Sequence, residues 1–340
     1  MAKRVGDTLF LPQSPVIAAY AAIGGKKEGE GPLAACFDEV VADNTLGEES
    51  WEKAESEMQH RAVTACLRKA GAKQEDVSLL LAGDLQAQCT ASNYTLRALG
   101  LPYLGIYGAC STMAETLGLA ALLCSAGMAE GALALTSSHF CAAERQFRTP
   151  LDYGGMRTPS AQWTATAAGC LLVRPAGKGV PVRAVTFGRV QDFEVTDINN
   201  MGAAMAPAAA STLLHYLKDS ATTPADYDVI FTGDLGAVGS SLLSGLMQDE
   251  GYPLPNHQDC GCLLYDAAAQ KVNAGGSGAG CSASVLAGHI LPKLQAGEYR
   301  KVLFVATGAL MSQTTYLQGE SIPGIAHLIA LGDAAPVGGV

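Results

Sequence analysis

Residues 106–116 read IYGACSTMAET, an apolar run that closes on Cys110 and passes at once into helix-forming residues. A strand ending on a cysteine at a helix N-terminus puts the sulfur where free N–H groups and the helix dipole favour an anion. In such a setting thiol pKa values fall and thiolates react. A lone cysteine is also among the residues most often buried as a small hydrophobe. What decides between these is whatever else converges on the sulfur.

Around this elbow, apolar runs of strand length recur, each followed by a helical segment: SLLLAGDL (78–85), YLGIYGAC (103–110), GALALTSS (131–138), DVIFTGDL (228–235) and KVLFVATG (301–308). Runs apolar at every position predict strands buried on both faces, as in parallel sheets covered by helices. Residues 52–70 carry apolar positions near helical spacing and stop at Gly71, a C-cap signal. Residues 111–126 and 282–296 predict two more helices. Two short motifs repeat in the same order. LAGDL (81–85) returns as FTGDL (231–235), and GACS (108–111) as GAGCS (278–282), each of the latter opening an Ala-rich helix. The offsets, 150 positions for the first pair and 171 for Cys110 against Cys281, imply a duplicated half with an insertion of roughly twenty residues in the second copy. The expected division is 1–175, holding the Cys110 elbow, and 176–340.

A 340-residue chain that is 49% hydrophobic buries a large core, and its net charge of −10 argues against a nucleic-acid surface. Ten cysteines in a chain of this length are too sparse for a secreted disulfide scaffold. Cys260-Gly261-Cys262 has no second pair at zinc spacing, so no metal site is expected. The opening MAKRVGDTLF lacks the apolar core of a signal peptide. The longest charge-free runs are broken by Pro207 or by Gly275, Gly276, Gly278 and Gly280, so no membrane span is expected. The glycine-rich 273–280 loop lacks the Lys-Ser/Thr of a phosphate-binding loop, and no motif calls for a cofactor.

A cysteine elbow in the first half of a duplicated α/β chain resembles the thiolase and ketosynthase superfamily. The stretches LLLAGDLQAQCTASNYTLRALGLPYLGIYGACSTMAE (79–115), TSSHFCAAERQFRTPLDYGGMRTPSAQWTATAAGCLL (136–172) and VTDINNMGAAMAPAAA (195–210) are similar, within it, to the stage V sporulation protein AD family of endospore-forming bacteria. The resemblance covers essentially the whole chain. It implies an α/β thiolase-like fold: two duplicated βαβαβ-type halves whose sheets pack around central helices in α-β-α-β-α layers. It also implies no established enzymatic reaction, and binding of dipicolinic acid or its calcium chelate for uptake into the developing spore. Implied too are membrane channel proteins of the same sporulation operon as partners, a cytoplasmic to peripheral position at the forespore or spore inner membrane, and, by analogy with thiolase-like folds, a homodimer.

In that superfamily the sulfur works with imidazole or amide partners from loops of the second half, which activate the thiol and stabilise the oxyanion. Here the corresponding loops read FTGDLGAVG and NAGGSGAGCSAS, offering Gly233 and Asp234, then Ser277 or Ala279. An ionised Asp234 repels a thiolate and an oxyanion alike. The expectation is therefore a pocket without catalytic residues. Its candidate ligand-binding groups are Cys110 at the helix start, Asp84, Gln86, Ser137, Ser138 and His139 at strand ends, Arg145 and Arg148 as bidentate carboxylate partners, and Asp234 and Ser277 from the second half. The alternative is an acyltransferase of thiolase or ketosynthase type, dependent on acyl-CoA or an acyl carrier and using Cys110.

Overall fold

Ten strands in two sets of five carry the fold in a computed structural model that describes residues 2–147 and 157–333. The first set is β1 (Val16–Gly25), β2 (Leu79–Gly83), β3 (Tyr103–Gly105), β4 (Ala132–Ser138) and β5 (Ala167–Arg174). The second is β6 (Val180–Phe187), β7 (Val229–Thr232), β8 (His257–Asp259), β9 (Lys301–Ala309) and β10 (Gly324–Gly332). Across the first sheet the order is β1-β5-β4-β2-β3, and across the second β6-β10-β9-β7-β8. Pairing directions match as well. β1–β5 and β5–β4 are antiparallel and β4–β2 and β2–β3 parallel, as are β6–β10, β10–β9, β9–β7 and β7–β8 in turn. The repeated motifs occupy matching places: LAGDL ends β2 where FTGDL ends β7.

Helices complete the layers, among them α1 (Trp51–Ala70), α2 (Thr112–Ser125), α3 (Phe140–Phe147), α4 (Met201–Ser220), α5 (Gly236–Asp249) and α6 (Ala279–Val285). α6 runs on through a π turn at Leu286–Ile290. α1 starts on a Ser50 cap that accepts from the Lys53 N–H and stops at Gly71, whose φ of 60° is left-handed. It covers the outer face of the first sheet, and α4 that of the second, while α2 touches strands of both. The layers are α-β-α-β-α.

Strand alternation explains the continuous apolar runs. In β4, Leu133 and Leu135 pack outward with Met58 and Val63 of α1, while Ala132 and Ala134 face the central helices with Leu117. In β7, Ile230 packs outward with Leu213 and Tyr216 of α4, and Phe231 inward. Small residues on the inner face let α2 lie close to both sheets and α6 close to the first. Among the described residues no helix is long and apolar enough to cross a membrane.

One strand is shorter than its sequence predicts. YLGIYGAC is apolar to residue 110, yet β3 stops at Gly105. The chain turns there because Thr112 Oγ1 accepts from the Gly108 N–H (3.1 Å) and donates to the Ala109 carbonyl (2.7 Å). A side chain at Gly108 would displace the Glu115 carboxylate, since a Cβ there would sit 2.3 Å from Glu115 Oε1. Ala109 is held at φ 52°, a left-handed conformation that costs a non-glycine residue roughly 1–2 kcal/mol.

Candidate functional site

The turn sets Cys110 at the start of α2, 6% exposed and packed against Leu85, Ala143 and Ala279. Nothing there ionises the thiol. Burial pushes its pKa well above the ordinary thiol value, and the negative charge of the neighbouring Asp234 carboxylate adds to the effect. A helix terminus lowers a cysteine pKa only when no larger opposing field is present.

Asp234 follows β7 and is fully buried. Its Oδ2 accepts from the Gly278 N–H (2.8 Å) and the Ser277 hydroxyl (3.2 Å), and its Oδ1 from the Thr307 hydroxyl (2.8 Å). Burial raises its pKa to about 6, against these hydrogen bonds, which lower it. The carboxylate thus stands where the second half meets the sulfur. The six histidines are engaged elsewhere: His257 on Thr232, His327 on Glu115, His215 beside Asp7, His60 beside Glu57, His139 on Asn44, and His289 on the distant π turn.

In front of Cys110 lies an open pocket of about 60 Å³, room for about five waters at 10–15 Å³ each. Ala109 and Cys110 form one wall, and Ala143, Glu144 and Phe147, successive turns of α3, form a second. Ile198, Asn199 and Met201, at the entry to α4, form a third, and Gln162, Thr164 and Ser277 close the back. Thr164 and Ser277 are paired in a two-strand ladder, Trp163–Thr164 against Gly276–Ser277. Trp163 stacks on Phe140 at 3.8 Å between ring centres, with Lys27 and Arg157 over its ring. The Arg157 guanidinium pairs with Glu144 at 2.8 Å. Among the described residues no group of three or more His, Cys, Asp or Glu is placed to hold a metal ion.

The ten candidate residues separate. Cys110 and Ser277 line the pocket, and Asp234 stands behind the sulfur. Asp84, Gln86 and Ser137 instead belong to a closed polar network beneath α1. Asp84 accepts from the Gln86 and Ser92 N–H groups (2.9 Å each) and from the Ser92 hydroxyl (2.7 Å). Gln86 Nε2 and the Ser137 hydroxyl each donate to Glu55 at 2.7 Å. Burial, with repulsion from Asp84, raises the Glu55 pKa to about 8. The separation follows from the period of two. Ser137 shares the outward face of β4 with Leu133 and Leu135, whereas Ser138 faces inward, donating to the Ala165 carbonyl (2.7 Å) and accepting from the Gly280 N–H (3.0 Å). His139 Nδ1 accepts from the Ala142 N–H (3.5 Å) and Nε2 meets the Asn44 carbonyl (2.7 Å), which fixes a neutral tautomer whose pKa burial lowers. Arg145 pairs with Glu52 and lies over Trp51, away from the pocket. Arg148 lies outside the described residues.

Glu144, Phe147, Gln162, Thr164 and Asn199 carry no signal that sets them apart in sequence. Ile198 to Met201 stand inside the stretch VTDINNMGAAMAPAAA, where nothing marks them from their neighbours.

A profile of the stage V sporulation protein AD family matches residues 6–332. The chain is 42% identical over 327 residues to stage V sporulation protein AD of Bacillus subtilis (strain 168), covering 96% of each. Among solved structures it is similar to a point variant of OleA from Xanthomonas campestris (TM-score 0.62, 12% identity, 95% of this chain and 99% of that one). It is also similar to 3-oxoacyl-(acyl carrier protein) synthase III from Pseudomonas aeruginosa PAO1 (TM-score 0.56, 15% identity, 96% and 100%). At these identities the structural likeness establishes the fold, which is thiolase-like.

Proposed function

The chain belongs to the stage V sporulation protein AD family, and from that premise we propose that it binds dipicolinic acid, free or as its calcium chelate, in the pocket beside Cys110. In this reading it supports uptake of that ligand into the developing spore, at the forespore or spore inner membrane and beside membrane channel proteins, and catalyses no reaction of its own. The observation that carries the proposal is the carboxylate beside the sulfur. A buried thiol beside the Asp234 carboxylate, with no imidazole in reach among the described residues, is not armed for acyl transfer.

Calorimetric titration with dipicolinate, with and without calcium, tests binding; absence of heat in both settings would overturn it. Incubation with acyl-CoA followed by intact mass spectrometry tests the acyltransferase alternative, and an adduct on Cys110 would favour it. Arg145→Ala is expected to change dipicolinate affinity less than twofold, because its guanidinium is held by Glu52 and Trp51 outside the pocket.

A homodimer is part of the proposal. β3 is the edge strand of the first sheet, and beside its free backbone groups Leu104 and Tyr107 are 48% and 45% exposed. Such an edge pairs readily with a second copy. Leu104→Lys is expected to shift the sedimenting species from dimer to monomer, and an unchanged wild-type monomer would sink the assignment.

A further inference from the structure

Resting on the reading of the pocket as a dipicolinate site, we infer that one ligand carboxylate seats on the N-terminus of α4, with the opposite, electropositive part of the ligand turned toward Gln162. α4 is 20 residues long, and its N-cap, Asn200, makes no side-chain capping bond. The N–H groups of Met201 and Gly202 have no hydrogen-bond partner among the described residues, while Asn199 and Met201 line the pocket. Two adjacent free N–H groups at the positive end of a long helix are a carboxylate receptor. Among the described residues no Lys, Arg or His lines the pocket to compete for that carboxylate.

Gln162 supplies the independent observation. It is 8% exposed and lines the same space. Its Nε2 donates to the Asp234 carbonyl (2.6 Å) and the Gly276 carbonyl (2.7 Å), which fixes the amide orientation, since a flipped amide would set oxygen against oxygen. Oε1 is left buried and without a partner among the described residues, a condition that costs about 1–3 kcal/mol unless something fills it. An orphan acceptor asks for a proton donor or a cation. A dicarboxylate that carries one proton, or a calcium ion held between its carboxylates, supplies an anion at one end and a positive group at the other.

The test titrates dipicolinate into the wild type, Asn200→Asp, Met201→Pro and Met201→Ala. Asn200→Asp puts a negative charge at the helix start, which favours the dipole and repels the ligand carboxylate. The melting temperature is expected to hold or rise while affinity falls at least tenfold. Proline is tolerated at the first helical position, so Met201→Pro removes one N–H without breaking α4, and Met201→Ala controls for the lost side chain. Affinity of Met201→Pro is expected to lie at least fivefold below that of Met201→Ala. If the wild type binds and both variants bind like their controls, the α4 seat is overturned while the function stands; if the wild type does not bind, the function itself falls. Wild-type titrations in chelator at pH 6 and pH 8, and in calcium, resolve the group facing Gln162. Tighter binding at pH 6 that persists in Asp234→Asn, and so does not come from the Asp234 carboxyl that titrates at about 6, assigns a proton, and at least tenfold tighter binding in calcium assigns the cation. Equal affinity in all three overturns the Gln162 contact.

Discussion

Asp234→Asn is expected to raise the rate at which iodoacetamide alkylates Cys110 at pH 7.5 by at least tenfold. The substitution keeps the shape of the side chain and an acceptor for the Gly278 N–H and the Ser277 hydroxyl. It turns the oxygen that faces Thr307 into an N–H donor. Thr307 can accept instead of donating, so the fold is retained. The sulfur exchanges a negatively charged neighbour, which raises its pKa, for a neutral one. Each unit by which the thiol pKa falls gives about ten times more thiolate below the pKa, offset in part because a less basic thiolate is a weaker nucleophile. The pH dependence adds a second check. With the Asp234 pKa at about 6, the wild-type carboxyl is neutral at pH 5, so the ratio between variant and wild type should shrink there. Equal alkylation rates at pH 7.5 would show that Asp234 does not restrain the sulfur, and the case against acyl transfer would lose its main support.

The second large effect concerns the buried pair under α1. Glu55 titrates at about 8 in the folded chain against an ordinary 4.5. Its folded pKa is raised, so its contribution to stability is complete below about pH 4.5 and is lost as pH rises through 8. At about 1.4 kcal/mol per unit, the loss across that window is on the order of 5 kcal/mol. Glu55→Gln mimics the protonated side chain toward Gln86 and Ser137. Thermal melts should show wild type and variant alike near pH 5 and the variant several degrees more stable at pH 8.5. Taking the difference between the two chains removes the opposite trend from aspartates with lowered pKa, such as Asp226 and Asp228. Parallel pH profiles would mean that Glu55 is ionised throughout and that the network compensates its charge.

Much of this architecture was legible in the sequence. Strands apolar at every position belong to a sheet covered on both faces, and two motifs returning in the same order at a long offset mark a duplicated half. The β2/β7 and α2/α6 correspondences were visible as LAGDL/FTGDL and GACS/GAGCS. The place of Asp234 was legible too, in a loop where the superfamily resemblance called for an imidazole. The pocket wall was not. Strand-end groups such as Asp84, Gln86 and Ser137 were grouped with Cys110 because the C-terminal ends of strands gather on one edge. Alternation then sends neighbours to opposite faces, and that cannot be assigned until it is known which face each helix covers. Gln162 was invisible for a different reason: its role depends on two carbonyls, Asp234 and Gly276, that are 72 and 114 residues away.

The strand order also bears on how the chain is made. β1 has its full-length partner in β5, from Gly24 against Ala167 to Val16 against Arg174, so the opening strand waits for nearly half the polypeptide. At about 5–20 residues per second the ribosome leaves VIAAYAAIGG without this neighbour for roughly 7–30 s, an interval in which an apolar strand that can pair only through residues 23–25 with residues 39–41 is open to aggregation or to a chaperone. The second half repeats the delay with β6 and β10. Nascent chains stalled shortly before residue 167 should therefore be far more protease-sensitive and chaperone-bound than those stalled some forty residues after 174, once β5 has cleared the exit tunnel.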